Sequence, residues 1–235
     1  MKKLSIIIPA YNEGKTIISL LQKVVNVSLI YGIQKEIVIV NDCSQDATAE
    51  LVKEYLATHA DESITLVQQE KNQGKGAAIR KGLEHITGDY IIIQDADLEY
   101  EPEDYNILLE VFVKENRKVL YGSRFLNSKN RHSYQSFYIG GRLVTLFTNL
   151  LFCQHLTDEP TCYKLFDAAF LRSIFLRCDG FEFCPEVTAK VAKRGIKIKE
   201  VPINYYPRSI EDGKKIKWTD GLAAIWALIK YRFVN

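Results

Sequence analysis

TGDYIIIQDADLE, residues 87–99, is the stretch on which the fold is decided. Its centre, YIIIQ at 90–94, carries four apolar or aromatic residues in succession. So short a run, flanked by polar residues, predicts a strand buried on both faces rather than a helix. Two carboxylates, Asp95 and Asp97, end it at alternate positions, so both project to one side of an extended chain.

The same signature recurs upstream. LSIIIP at 4–9, EIVIV at 36–40 and the segment 64–67 read as three further strands. Between them the period lengthens. After the turn Asn12-Glu13-Gly14, apolar residues fall at 17, 20, 21, 24 and 25, and a second helix starts at Ala47. A third follows the Gly-rich turn at 72–76 and runs to His85. Strands alternating with helices predict an α/β fold with a mostly parallel central sheet, right-handed crossovers and helices on both faces. Sheets of this kind bind ligands at the carboxyl ends of their strands. Tyr11 and Glu13, Asp42, the 72–76 turn, and Asp95 with Asp97 all follow strands, so they converge on one crevice.

Downstream the order loosens. A fifth strand is predicted at 120–124, helices at 139–152, 182–194 and 220–233, and a strand at 196–206 broken at Pro202, followed by a charged loop at 208–217. No repeat or linker interrupts the 235 residues, which are expected to form a single domain with an elaborated C-terminal part. Hydrophobic residues make up 47% and charged residues 26%, a globular balance that excludes a disordered chain. Five cysteines without a CxxC pair or signal peptide predict reduced thiols, no zinc site and a cytoplasmic location. No segment approaches the roughly 20 apolar residues of a membrane span. From 190 to 217, nine basic residues face three acids, a local surplus of +6 that suits phosphates or an anionic membrane face and equally a solvated helix plus a basic loop. Nucleic acid is not an expected partner, because these cations lack interleaved aromatics.

Asp95 and Asp97 suit one divalent cation bridged to a diphosphate, with Glu99 as a third oxygen ligand. Asp42 is placed to accept from a nucleotide base; the other reading is an Asx-turn, although Asp46 is the better cap for the following helix. The NQGKG loop containing Lys75 is either an anion cradle at a helix start or a plain turn, and it lacks P-loop spacing. Helix 139–152 carries Leu143, Leu146, Phe147, Leu150 and Leu151, and the last helix carries Leu222, Ile225, Trp226, Ile229 and Phe233. Each stripe packs on the core or lies on a membrane with Arg142, Lys230 and Arg232 at headgroup level.

Taken in order, IIIPAYNEGKTI, IVIVNDCSQDAT, NQGKGAAIRKGLEHITGDYIIIQDADLEYEPED, YGSRFL, DEPTCYKLF, GFEFCPEVTAKVAKRG, EVPINYYPRS and DGKKIKW resemble glycosyltransferase family 2. The resemblance spans the whole chain and is greatest to the dolichyl- or polyprenyl-phosphate sugar synthase branch. It implies a GT-A fold with a nucleotide-sugar half, 1–124, and an acceptor half, 125–235. It further implies that Pro9, Tyr11, Glu13, Asp42, Lys75 and Asp95 serve the nucleotide and that Asp95, Asp97 and Glu99 hold Mg²⁺ or Mn²⁺. Arg124, with Arg142, meets the acceptor phosphate, Asp158 lies by the reacting sugar, and Arg208 and Lys214 close over the diphosphate. Asn41, Cys43, Glu99 and Cys162 depart from the residues usual in the family.

The implied activity is inverting transfer of a hexose from GDP-mannose, UDP-glucose or another nucleotide sugar to a polyprenyl phosphate, dolichyl or undecaprenyl. A membrane contact or a membrane-anchoring partner goes with such an acceptor. Two rivals are the same chemistry on a glycan or other hydroxyl, and a non-catalytic sugar-nucleotide-binding scaffold. A hydroxyl needs a general base, whereas a phosphate monoester is largely ionised at neutral pH. On that ground Asp158→Asn is expected to abolish turnover with a hydroxyl acceptor and to cost little with a phosphate.

Overall fold

The computed structural model describes residues 1–59, 63–131, 134–208, 215 and 218–234. Its centre is a seven-stranded sheet in the order β3-β2-β1-β4-β6-β5-β7. Strands β1 (Lys3–Ala10), β2 (Gln34–Asn41), β3 (Ile64–Gln68) and β4 (Tyr90–Ile93) are mutually parallel, with Ile6 level with Ile37 on one side and Ile92 on the other. Ile6, Ile7 and Ile8 are all fully buried. Alternate side chains leave a strand on opposite faces, so both faces of β1 are covered, and each such residue contributes about 1.5–3 kcal/mol.

Helices α1 (Ile17–Asn26), α2 (Thr48–Thr58) and α3 (Lys75–Leu83) follow the first three strands, as the periodicity predicts. A Cβ on Gly82 of α3 would stand 2.6 Å from Ile7 Cγ2 and 3.3 Å from Val40 Cγ2. The absence of a side chain there lets the helix lie close on β1 and β2.

Beyond β4 the structure adds what periodicity does not reveal. Helix α4 (Tyr105–Lys114) buries Tyr105, Leu108, Leu109 and Phe112, and β5 (Val119–Ser123) follows it. Strand β6 (Lys164–Asp167) inserts antiparallel between β4 and β5, and β7 (Lys199–Pro202) pairs parallel with β5. The expected strand at 196–206 is therefore only four residues long. Helix α5 (Gln135–Phe152) starts four residues before the expected point, α6 (Ala168–Arg172) is one short turn, and α7 is Phe183–Lys193. The last helix, α8, is Trp218–Phe233. Val144 and Phe152 of α5, Ala189 of α7, and Ala224, Ala227, Leu228 and Tyr231 of α8 form a second apolar cluster beside the main core. Among the described residues no helix is long and apolar enough to cross a membrane.

Candidate active site

The loops after β1 and β2 are laced together. Asn12 sits in the left-handed region (φ 51°), which an Asn side chain tolerates. Its N–H donates to Ser44 Oγ at 2.9 Å, and its Oδ1 accepts from Gln45 N at 2.7 Å. Glu13 N donates to Thr48 Oγ1 at 2.9 Å, and Asp46 accepts from Thr48 N at the head of α2 at 3.0 Å. Asp42, just past β2, accepts from Gln69 Nε2 at 2.7 Å, Gln73 N at 2.8 Å and Gly74 N at 2.7 Å. It braces the NQGKG loop.

That loop is built for close approach of another backbone. Gly74 has φ +97°, and a Cβ there would lie 2.6 Å from the Asp179 carbonyl oxygen. On Gly76 it would lie 2.4 Å from that of Cys178. Ala77 N donates to Asp179 O at 3.0 Å, so this N–H at the head of α3 already has a protein partner. Lys75 turns to Asp95, with 2.5 Å between Nζ and Oδ1. Burial works against its ammonium, but Asp95 and the nearby Cys162 and Cys184 outweigh it and hold the pKa above the usual lysine range.

At the end of β4, Asp95, Asp97 and Glu99 stand in one acidic group. Burial first, then the charges of Asp95 and Glu99, push Asp97 up to about 7. Arg208 reaches the group from the C-terminal side: Nη2 lies 3.3 Å from Asp97 Oδ2, and Nη1 and Nη2 donate to Glu13 at 3.1 and 3.2 Å. Arg208 Nε is buried without a partner among the described residues, a donor left for a ligand. Glu99 accepts from Tyr205 OH at 2.8 Å and from Arg208 N at 2.9 Å. Among the described residues no three His, Cys, Asp or Glu side chains form a metal cage. The residues that fit a divalent cation are Asp95 and Asp97, and burial with the neighbouring carboxylates leaves Asp97 only partly ionised at neutrality. Two carboxylates completed by diphosphate and water oxygens suit a hard cation such as Mg²⁺ or Mn²⁺.

Lys215, which sequence reasoning passed over, places Nζ 2.6 Å from Glu13 Oε1 and also donates to the Tyr11 carbonyl. Tyr11, just past β1, thus borders the same cluster; Pro9 lies within β1, level with Val40 of β2, and Lys214 lies outside the described residues.

Across β6 lies a second group. Arg124, after β5, grips Asp158 with Nε on Oδ2 and Nη2 on Oδ1, both at 2.7 Å, and its N–H adds a third bond at 2.9 Å. Asp158 is completely buried. Glu200 of β7, not singled out from sequence, accepts from Asp158 N at 2.9 Å, Thr157 N at 2.6 Å and Thr157 Oγ1 at 2.8 Å. Arg142 of α5 donates to the Thr157 carbonyl at 3.0 Å. Cys162 is buried below β4, its N–H on Tyr100 OH at 3.0 Å, and burial first raises its thiol far above the ordinary range.

The model of the family described as Glycosyl transferase family 2 matches residues 5–175. Dolichyl-phosphate beta-glucosyltransferase ALG5A of Trichomonas vaginalis is 30% identical over 97% of this chain and 72% of its own length. Dolichyl-phosphate beta-glucosyltransferase of Dictyostelium discoideum is 28% identical over 98% and 74%, and that of Saccharomyces cerevisiae 29% over 91% and 69%. Glucosyl-3-phosphoglycerate synthase from Mycobacterium tuberculosis, solved with Mn²⁺, UDP and glucosyl-3-phosphoglycerate, superposes with a TM-score of 0.71 at 16% identity, over 100% of this chain and 81% of that one. S. aureus TarS with UDP-GlcNAc superposes at 0.64 and 19% identity, over 100% and 68%. At these identities the two structures speak for the fold, which is GT-A.

Proposed function

The chain belongs to glycosyl transferase family 2, and from that membership we propose that it transfers glucose from UDP-glucose to dolichyl or another polyprenyl phosphate, with inversion at the anomeric carbon. Relatives named as dolichyl-phosphate beta-glucosyltransferases support the acceptor and the sugar. A synthase solved with UDP-glucose and Mn²⁺ supports the donor and the metal.

The observation that carries the phosphate acceptor is the state of Asp158. Both of its oxygens are held by Arg124, and no part of it is exposed. A carboxylate so enclosed is badly placed to take a proton from a sugar hydroxyl. A lipid monophosphate, with a second pKa of about 6, needs no base. Its oxygen attacks the anomeric carbon as the bond from that carbon to the donor diphosphate breaks, and UDP leaves with the electron pair.

Asp95 and Asp97 would hold the divalent cation, which when bound offsets negative charge on the departing diphosphate. Arg208, oriented by Glu13 and Asp97, brings its positive charge to the same developing charge. Lys75 holds Asp95 in place. Arg124 and Arg142 bring positive charge to the acceptor side, with Arg124 fixed by Asp158 and, behind it, Glu200.

The test is incubation with radiolabelled UDP-glucose, Mn²⁺ and a short-chain polyprenyl phosphate, followed by solvent extraction. Label is expected in the organic phase, with a rate rising through pH 6 as the acceptor ionises. Label confined to water, or carried by a glycan, overturns the acceptor. Asp158→Asn does not separate the two acceptors as the sequence suggested, because it also strands a buried Arg124.

A further inference from the structure

Lys75 stands between two glycines, and both are pressed by one distant segment. The carbonyls of Cys178 and Asp179 lie where side chains on Gly76 and Gly74 would begin, and Gly180 Cα stands 3.4 Å from the Cβ position of Gly74. Ala77 N donates to Asp179 O. Arg80, a turn farther along α3, donates to the Cys178 carbonyl through Nη1 and to Asp179 Oδ1 through Nη2. Phe181, which follows Gly180, sets its ring centre 5.8 Å from Lys75 Nζ. The backbone of Lys75 and the course of its side chain therefore depend on where residues 178–181 lie.

That segment has its own anchor. Glu186, in the first turn of α7, is fully buried. Its Oε1 accepts from Arg177 N and its Oε2 from Cys178 N, both at 2.8 Å. Lys190, one turn on in the same helix, donates to Oε1 at 2.6 Å and to the Phe175 carbonyl at 2.5 Å. Burial opposes the charge on Glu186, but Lys190 and the two N–H groups outweigh it and hold the pKa below the usual carboxylate range. Charge-assisted bonds to two successive N–H groups fix the direction in which the chain enters residue 178. Such an anchor alone stabilises a loop. Here the loop goes on to seat the glycines around Lys75, whose Nζ lies 2.5 Å from Asp95 Oδ1. We propose that Glu186 is a positioning residue for donor binding: with Arg80 it holds residues 178–181 against the head of α3 and so sets Lys75 against Asp95. The proposal rests on the transferase reading above, in which Asp95 serves the diphosphate and its cation.

The test pairs Glu186→Gln with Arg80→Gln in the full chain. Glutamine keeps the size of Glu186 but turns an NH₂ toward a backbone N–H or Lys190, a donor against a donor. In the ligand-free protein, amide hydrogen exchange at Ala77, read by NMR, is expected to quicken about tenfold. Calorimetry with Mn²⁺ and UDP-glucose is expected to show Kd weakened roughly three- to tenfold, with the KM for a short-chain polyprenyl phosphate unchanged. Arg80→Gln, at a partly exposed side chain, should shift both readouts in the same direction. The double variant should weaken Kd by less than the product of the two factors, because both residues hold one segment. Should Glu186→Gln fail to fold, Arg80→Gln decides by the same two readouts. A purely structural Glu186 would lower Tm and the binding stoichiometry and leave Kd at its wild-type value. That result, unchanged exchange at Ala77, or factors that simply multiply overturns the proposal and leaves the transferase standing. Wild-type protein that binds no UDP-glucose with Mn²⁺ overturns the donor reading, and the proposal with it.

Discussion

The two charged groups that flank β6 are held in opposite ways. At the ends of β1 and β4, Glu13, Asp95, Asp97 and Glu99 crowd together, and the cations that reach them are long side chains at the edge, Lys75, Arg208 and Lys215. Burial first, then the charges of Asp95 and Glu99, drive Asp97 up to about 7. Beyond β5 the balance is settled within the protein. Arg124 and Asp158 form a two-pronged pair, and Glu200 accepts three bonds from the turn that carries Asp158. A buried carboxylate crowded by its neighbours gains from a cation that lets it ionise, whereas a closed pair holds its own geometry. Under the proposed function, cation and diphosphate would go to the first group and positioning to the second.

The comparison breaks most visibly at Asp97. Asp97→Asn keeps the shape but removes half of the cation's carboxylate pair, so turnover is expected to fall about a thousandfold. Mn²⁺-dependent tightening of UDP-glucose binding should vanish in calorimetry. Undiminished metal dependence would move the cation elsewhere. Next in size is Arg124→Lys, which replaces a planar fork with a point charge and leaves one Asp158 oxygen short of a donor. A loss of about a hundredfold in kcat/KM is expected, with the Kd for UDP-glucose unchanged. An equal loss of donor affinity would erase the division between the two groups.

Acid sharpens the contrast. Asp97 has a folded pKa of about 7, raised above its unfolded value near 3.8, so between those limits the native metal-free chain holds a proton that the unfolded chain has released. Stability from this group is present at low pH and is lost as pH rises through 7. A cation must displace that proton, so Mn²⁺ affinity should improve by about tenfold per pH unit below 7 and level off above it. Titration calorimetry across pH 5.5–8 checks this, and a flat profile would show Asp97 already ionised.

The parallel half was legible because each of its strands is a largely apolar run and each candidate site residue follows one closely. That Asp42, Asp95 and Asp97 lie at one edge of the sheet needed only the strands that precede them. Strand β6 was not legible: KLFD is four residues long, pairs antiparallel and owes its place to β4 and β5, which lie 74 and 45 residues before it, counting from their first residues (164 − 90 and 164 − 119). Glu99 shows the limit at the site itself. Spacing put it two residues from Asp97, but Tyr205 and Arg208, more than a hundred residues on, decide where its oxygens point. Lys215 and Glu200 act by the same kind of distant contact, and no local pattern announces them. The loop at 72–76 was read as either cradle or turn; its glycines answer to the carbonyls of Cys178 and Asp179, which only the fold brings there.

The smallest effect tests whether the second group positions anything at all. Glu200→Gln keeps size and shape but replaces one acceptor oxygen with an NH₂, which must then face either Asp158 N–H or the two Thr157 donors. A donor set against a donor costs about 1–2 kcal/mol, which in a chain of this length lowers Tm by about 2–8 °C. If the 157–158 turn sets the angle of Asp158 and through it Arg124, kcat should fall several-fold, up to about tenfold, with the UDP-glucose Kd untouched. A purely structural Glu200 would lower Tm and leave kcat per folded molecule at its wild-type value. Measuring both on the same sample separates the two, because loss of folded protein scales the amplitude of a single-turnover experiment while misplacement of Arg124 slows its rate.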